Sequence, residues 1–107
     1  GADPVAVYVT VPDKAAGERV ATALVEAKLA ACVNVVPGVE SYYWWEGKVN
    51  HDSELLLMVK STKQLMPELT DKVLETHPYS TPEVISVPIT GGSQKYLDWL
   101  LSSVKKP

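Results

Sequence analysis

The 107-residue sequence has one cysteine, two histidines, one arginine and no phenylalanine, and these scarcities exclude several classes of protein. Cys32 alone cannot form an intrachain disulfide, and it cannot supply the paired thiolates that cysteine-rich zinc motifs require. No apolar run approaches the roughly 20 residues that a helix needs to cross a bilayer, so we expect no membrane partner. A dedicated copper site needs two to four soft ligands, and a single chain supplies too few of them.

Positive charge and phosphate-binding motifs are also scarce. The net charge is −3 and the sequence pI is about 5.3, so no basic patch is available to neutralise phosphates and we expect no nucleic-acid partner. Gly91 and Gly92 lack the lysine and hydroxyl residues of a phosphate-binding loop. No nucleophile and base can be paired from the sequence, and we therefore expect a protein that is not an enzyme.

The hydrophobic pattern predicts one domain, residues 1–107, with alternating strands and helices. Alternating valines predict a first strand from Val5 to Val11, and Asp13 can cap the helix that follows. The later elements are a second strand from Ala31 to Trp45 with a bulge at Pro37–Gly38, a third strand from Val49 to Thr62, a helix ending at His77, a fourth strand from Glu83 to Ile89 and a last helix with Trp99 in the core. This βαββαβ order with an additional C-terminal helix is typical of an α+β, ferredoxin-like antiparallel sheet.

The second and third strands predict an unusually long hairpin. About 14 residues at about 3.3 Å each span roughly 46 Å, which exceeds the width of a compact domain of this size. The far end of the hairpin must therefore extend beyond the sheet. Four consecutive aromatic residues lie on that extension: Tyr42, Tyr43, Trp44 and Trp45. At least two of them face water in a monomer, because side chains alternate between the faces of a strand, and we predict that they form an oligomer interface.

Two residues are candidate metal ligands, and each also has a structural interpretation. His77 lies in a stiff loop with Pro78 and Pro82 and could bind a metal ion, but a histidine at a helix C-terminus also caps carbonyls. Cys32 could act as a thiolate ligand, although a lone cysteine among apolar neighbours is more often a small buried hydrophobic residue. His51 is predicted to be a solvated loop residue.

Charged residues inside strand patterns are candidates for a ligand site, because charged groups are seldom buried without a partner. These candidates are Glu54, Lys60 and Glu83.

Three motifs occur in a fixed order along the chain. They are Leu-Ala-Ala-Cys-Val-Asn at 29–34, Tyr-Tyr-Trp-Trp-Glu-Gly-Lys at 42–48 and His-Pro-Tyr-Ser-Thr-Pro-Glu at 77–83. With these motifs the chain resembles the CutA family, small trimeric proteins associated with tolerance to divalent metal ions. The resemblance implies a homotrimer that binds copper or another divalent metal ion weakly, with His77 and Cys32 as candidate ligands. Some bacterial relatives have further cysteine and histidine ligands where this chain has Thr10, Lys72 and Thr76.

Two other functions stay open. The protein could be a regulatory trimer, resembling nitrogen-signalling proteins, that binds a small molecule in a cleft between subunits. The residues expected to line that cleft are Glu54, Lys60, Tyr79 and Glu83. The protein could instead be a stabilising scaffold or anchor for another protein, as suggested for animal relatives. The segments Val7–Pro12 and Pro88–Ser93 look closest to the plant branch, whose precursors have a plastid leader, and this implies a chloroplast location with a cytoplasmic one as the alternative.

Overall fold

The computed structural model describes residues 2–107 as one four-stranded sheet with helices packed against it. The elements are β1 (Pro4–Val11), α1 (Lys14–Glu26), β2 (Cys32–Trp45), β3 (Lys48–Thr62), a 3-10 turn (Lys63–Leu65), α2 (Met66–Thr76), β4 (Ile85–Pro88) and α3 (Gln94–Ser103). All strand pairs are antiparallel and the strand order is β2-β3-β1-β4. This is the ferredoxin-like arrangement that the sequence predicts, with α3 added to it.

The core lies between α1, α2 and one face of the sheet. The alternation of β1 directs four valines into it, and none of them is more than 4% exposed: Val5, Val7, Val9 and Val11. In the partner strand Leu57 and Val59 point the same way, because paired residues of an antiparallel sheet share a face. Helix α1 begins where predicted, since the Asp13 carboxylate accepts a hydrogen bond from the N–H of Ala16 at 2.8 Å. Within residues 2–107, no helix has the length and apolar character needed to cross a bilayer.

The hairpin of β2 and β3 extends well past the rest of the sheet. Strand β1 pairs with β3 only as far as Leu55, whereas the pairing between β2 and β3 continues to Trp45 and Lys48. The described part of the chain consequently measures 44 × 26 × 22 Å. The predicted bulge is present between Val36 and Val39, where Gly38 has a φ of 80°. The long hairpin is thus confirmed, and its far end has no neighbouring strand among residues 2–107.

The fourth strand is shorter than predicted. Only Ile85–Pro88 pair with β1, whereas the sequence pattern predicts a strand from Glu83 to Ile89. At Thr10 the backbone carbonyl accepts a hydrogen bond from the ring of His77 instead of from a β4 amide. The loop after α2 therefore occupies the position that an extension of β4 would need.

Two further predictions are wrong. Trp99 is 45% exposed, because α3 turns Leu100 inward and places Trp99 beside Tyr96, with 5.4 Å between the ring centroids. His51 lies inside β3 and not in a loop, since the hairpin pairs all the way to its turn. Local composition suggested a polar turn there, but the pairing with β2 decides the backbone conformation.

Candidate functional site

A pocket lies where the extended hairpin meets the loop after α2, and we call it the hairpin pocket. Its volume is about 530 Å³, which is within the usual size range of small-molecule sites. The lining residues are Thr10, Ser41, Tyr42, Tyr43, Trp45, Asp52, Glu54, Tyr79, Ser80, Thr81 and Glu83. Three of the four ligand-site residues expected from the sequence thus come together: Glu54, Tyr79 and Glu83.

Glu54 and Tyr79 form the most buried polar contact of the pocket. Glu54 is only 7% exposed, and the Tyr79 hydroxyl donates a hydrogen bond to its Oε2 at 3.2 Å. Burial raises the pKa of Tyr79 to about 12, with the negative charge of Glu54 as the next cause. The Tyr79 phenol therefore stays protonated at neutral pH and holds the carboxylate of Glu54 in place.

A second phenol–carboxylate contact lies on the hairpin side of the pocket. The Tyr43 hydroxyl donates to the Asp52 carboxylate across the two strands, and this hydrogen bond raises the pKa of Tyr43. With Glu54 and Glu83, Asp52 gives the pocket three carboxylates, and no basic side chain from residues 2–107 lines it. Aromatic faces together with carboxylates favour a positively charged ligand.

His77 has no free ring nitrogen in this fold. Its Nε2 donates to the carbonyl of Thr10 at 2.8 Å, and its Nδ1 accepts from the N–H of Tyr79 at 3.0 Å. Each partner can act in only one way, a carbonyl as acceptor and an amide as donor, so the contacts specify the neutral imidazole with its proton on Nε2. A metal ion would have to displace one of these hydrogen bonds. The geometry supports a structural role for His77, in which it fixes the loop that positions Tyr79.

Cys32 and Lys60 form a separate cluster near the other end of β3. The Cys32 thiol is partly exposed and lies 3.5 Å from the Tyr96 hydroxyl and 3.6 Å from the Lys60 ammonium. Lys60 also donates to the side-chain oxygen of Asn34. The contact with Cys32 raises the pKa of Tyr96. Lys60 therefore does not line the hairpin pocket, since it lies six positions from Glu54 along β3, or roughly 20 Å.

Sequence reasoning missed a cross-strand pair on the outer face of the hairpin. The Nε2 of His51 donates to Oε1 of Glu40 at 2.7 Å, and the Ser53 hydroxyl donates to Oε2 of the same carboxylate at 2.8 Å. The ring of Tyr42 stacks on the imidazole with 4.1 Å between centroids. The hydrogen bonds from Ser53 and His51 lower the pKa of Glu40. Strand register was the signal that could have revealed the pair, because residues 40, 42, 51 and 53 share one face only when Tyr42 lies opposite His51.

The four hairpin aromatics remain accessible in the single subunit. Trp44 is 74% exposed, Tyr42 70% and Trp45 53%, and Tyr43 is the least exposed of the four. Exposed apolar surface of this extent on an extended arm is typical of an interaction surface. The predicted interface residues are thus free to contact another molecule.

Potential metal ligands do not gather into a large cluster in the described part of the chain. Among residues 2–107, no group of three or more His, Cys, Asp or Glu side chains is arranged to hold a metal ion. The carboxylates of the hairpin pocket do not converge on one point, and the sequence-predicted ligands His77 and Cys32 lie in different clusters.

Comparison with known proteins matches residues 5–103 to the family described as CutA1 divalent ion tolerance protein. The chain is 54% identical over 102 residues to "Protein CutA 1, chloroplastic" of Oryza sativa subsp. japonica, covering 95% of this chain and 58% of the relative. It is 55% identical over 101 residues to "Protein CutA, chloroplastic" of Arabidopsis thaliana, covering 94% of this chain and 56% of the relative. The chain thus spans little more than half the length of these curated relatives. The crystal structure of CutA1 from Oryza sativa is similar with a TM-score of 0.95 at 52% identity, covering 98% of this chain and 96% of that chain.

Proposed function

The chain belongs to the CutA1 divalent ion tolerance protein family, and from this premise we propose that it is a homotrimer that binds divalent metal ions, copper among them, weakly. Its role is binding and not catalysis. The relatives from Oryza sativa and Arabidopsis thaliana are described as chloroplastic, and we propose the same compartment for this protein. Imaging of the full-length precursor fused to a fluorescent protein tests the location, and a cytoplasmic signal would contradict it.

The observation that supports assembly best is the exposure of the aromatic residues on the extended hairpin. Tyr42 and Trp44 are each at least 70% exposed, and a large aromatic side chain can bury 150–250 Å² in an interface. The face of the sheet opposite the core also leaves Ile85 and Val87 exposed. Both end strands of the sheet, β2 and β4, have an edge that can pair with another chain. Other copies of the same chain can cover much of this apolar surface.

The candidate ligands His77 and Cys32 support only weak binding of a divalent metal ion. A tight copper site needs several soft ligands, whereas His77 has both ring nitrogens engaged and Cys32 lies beside the Lys60 ammonium. The ion would be held mainly by water and a small number of protein ligands, with low affinity as the consequence.

Two measurements test the proposal. Multi-angle light scattering of the purified protein is expected to give three times the 11.7 kDa subunit mass, and a monomer would contradict the assembly. Calorimetric titration with Cu(II), Ni(II) and Zn(II) is expected to show weak binding, tightest for Cu(II). Absence of any heat or spectral change with all three ions would contradict the metal function.

The hairpin pocket favours a second candidate function, the binding of a small regulatory molecule. The observation behind it is the buried Glu54, held by Tyr79 in an acidic cavity of about 530 Å³ that aromatic residues line. A ligand that complements this lining has an organic cation, such as a primary or quaternary ammonium group. Thermal-shift screening of amines against wild type and Glu54→Gln tests this function. A stabilising amine whose effect is lost in Glu54→Gln supports it, and no stabilisation by any amine counts against it.

A further inference from the structure

The His51–Glu40 pair on the outer face of the hairpin is the only place in residues 2–107 where an exposed imidazole contacts a carboxylate. We propose that this pair is a binding site for a divalent metal ion, with Cu(II) as the preferred ion. The proposal rests on the divalent ion function proposed above and assigns protein ligands to it. The ion would be bound by Nε2 of His51, Oε1 of Glu40 and water.

The geometry of the pair is close to that of two adjacent metal ligands. Nε2 of His51 and Oε1 of Glu40 are 2.7 Å apart. Metal–nitrogen and metal–oxygen bonds of about 2.0 Å place two such ligands about 2.8 Å apart at a right angle and about 3.3 Å apart in a tetrahedron. The two atoms therefore need to separate by only roughly 0.1 to 0.6 Å to admit an ion, which a small rotation of either side chain can provide. Both side chains are about half exposed, 47% and 51%, so that the ion can enter and keep water ligands.

Neighbouring side chains orient both ligands. The Tyr42 ring lies parallel to the imidazole, with an angle of 4° between the planes, and restricts its rotation. The Ser53 hydroxyl donates to Oε2 of Glu40, which leaves Oε1 directed at the imidazole. Partners that orient metal ligands in this way raise metal affinity, commonly by 10- to 100-fold. The pair is thus more than two surface residues that happen to be near each other.

The proton that joins the two groups is exchanged for the ion. In the metal-free protein Nε2–H of His51 donates to the carboxylate. When the ion binds, Nε2 provides its lone pair, and the proton that it carried is transferred through water to Nδ1 of the same ring. Imidazole nitrogen binds Cu(II) more strongly than the other common divalent ions of the first transition series. His77 cannot take this role as readily, because both of its ring nitrogens already have partners.

The test is a titration of the intact protein with Cu(II) alone, by calorimetry and by electron paramagnetic resonance. His51→Gln and Glu40→Gln are compared with two matched variants. His77→Gln removes the other imidazole, and Asp71→Asn removes an exposed carboxylate on α2, far from the hairpin. Circular dichroism confirms that each variant is folded. A Cys32→Ser variant tests the thiol as an alternative ligand.

The expected result is a loss of affinity of at least about tenfold in His51→Gln and Glu40→Gln, with little change in the other variants. The spectrum of the wild-type complex should show hyperfine splitting from one nitrogen, and His51→Gln should lack it. If wild type binds Cu(II) and His51→Gln binds equally well, or if only Cys32→Ser loses binding, the His51–Glu40 site is overturned while the divalent ion function stands. If wild type binds none of Cu(II), Ni(II) and Zn(II), the divalent ion function itself is overturned and the site with it.

Discussion

Nε2 of His77 donates a hydrogen bond to the backbone carbonyl of Thr10 at 2.8 Å, and this contact joins the loop after α2 to the end of β1. The other ring nitrogen accepts from the N–H of Tyr79, so that one imidazole both fixes the conformation of its own loop and joins that loop to β1. Tyr79 in turn holds the carboxylate of Glu54 in the hairpin pocket. The histidine that stands out in the sequence thus supports a site and does not itself form one.

Replacement of His77 by Ala is expected to destabilise the protein by about 1–3 kcal/mol, because it leaves a partly buried carbonyl and a partly buried amide without their partner. Urea unfolding measures the effect. The exposed His51→Ala variant is the control and should change the free energy of unfolding by less than about 0.5 kcal/mol. A His77→Ala protein as stable as wild type would show that the two hydrogen bonds contribute nothing to folding.

The fold was predictable because its signals are local and agree with one another. The alternating valines of β1, the cap at Asp13 and the bulge at Gly38 all lie where the sequence places them. The length of the hairpin followed from counting residues between turn signals. The point at which β4 begins could not be predicted from local signals. It depends on the contact between His77 and Thr10, which are 67 residues apart in the chain.

The sites were less predictable, since they depend on register and on backbone partners. Glu54 and Glu83 do line one pocket of the single subunit, and charged residues in strand patterns indicate such a site even when their partners are unknown. Lys60 was placed with them but lies beside Cys32, as nothing in a sequence shows how far along a strand the pocket extends. The pairing of His51 with Glu40 required the exact alignment of the two hairpin strands.

Replacing Trp44 and Trp45 together by Ser is expected to weaken the assembly, since both side chains are more than half exposed in the single subunit. The variant should contain smaller species by light scattering and should melt at a lower temperature than wild type at equal concentration. Leu74→Ser on α2 is the matched control, because Leu74 is an exposed apolar residue outside the hairpin. An unchanged mass and melting temperature in the double variant would exclude these tryptophans from the interface.

The hairpin turn offers a test of backbone strain. Glu46 and Gly47 both have positive φ, 52° and 76°, as a two-residue type I′ turn requires. Asn tolerates this conformation better than Glu, so Glu46→Asn should stabilise the protein by about 0.5–1 kcal/mol. Gly47→Ala should destabilise it by about 1 kcal/mol through strain alone, since a Cβ there meets no atom within 4 Å.

The matched control for the turn is Gly91→Ala. Its added methyl group also meets open space, but Gly91 has no positive φ. Thermal unfolding should therefore show no loss of stability. Equal effects at Gly47 and Gly91 would argue against backbone strain as the cause.

The raised pKa of Tyr79, about 12 against an ordinary value of 10, predicts how stability depends on pH. The folded state binds this phenol proton more tightly than the unfolded state does. The resulting stabilisation is fully present below pH 10 and is lost as pH rises from 10 towards 12. Urea unfolding at several pH values in this range should show a steeper loss of stability for wild type than for Tyr79→Phe.

Absorbance titration of the phenolates assigns the effect to its cause. Tyr79→Phe should remove a phenol that ionises near pH 12, and Glu54→Gln should shift that ionisation towards 10 because it removes a neighbouring negative charge. If Glu54→Gln leaves the titration unchanged, the contact with Glu54 does not contribute to the raised pKa of Tyr79, and burial together with Asp52 and Tyr43 accounts for it. If Tyr79→Phe leaves the absorbance titration unchanged, the Tyr79 phenol is not the group that ionises near pH 12. The pocket would then be more open to water than the structure indicates.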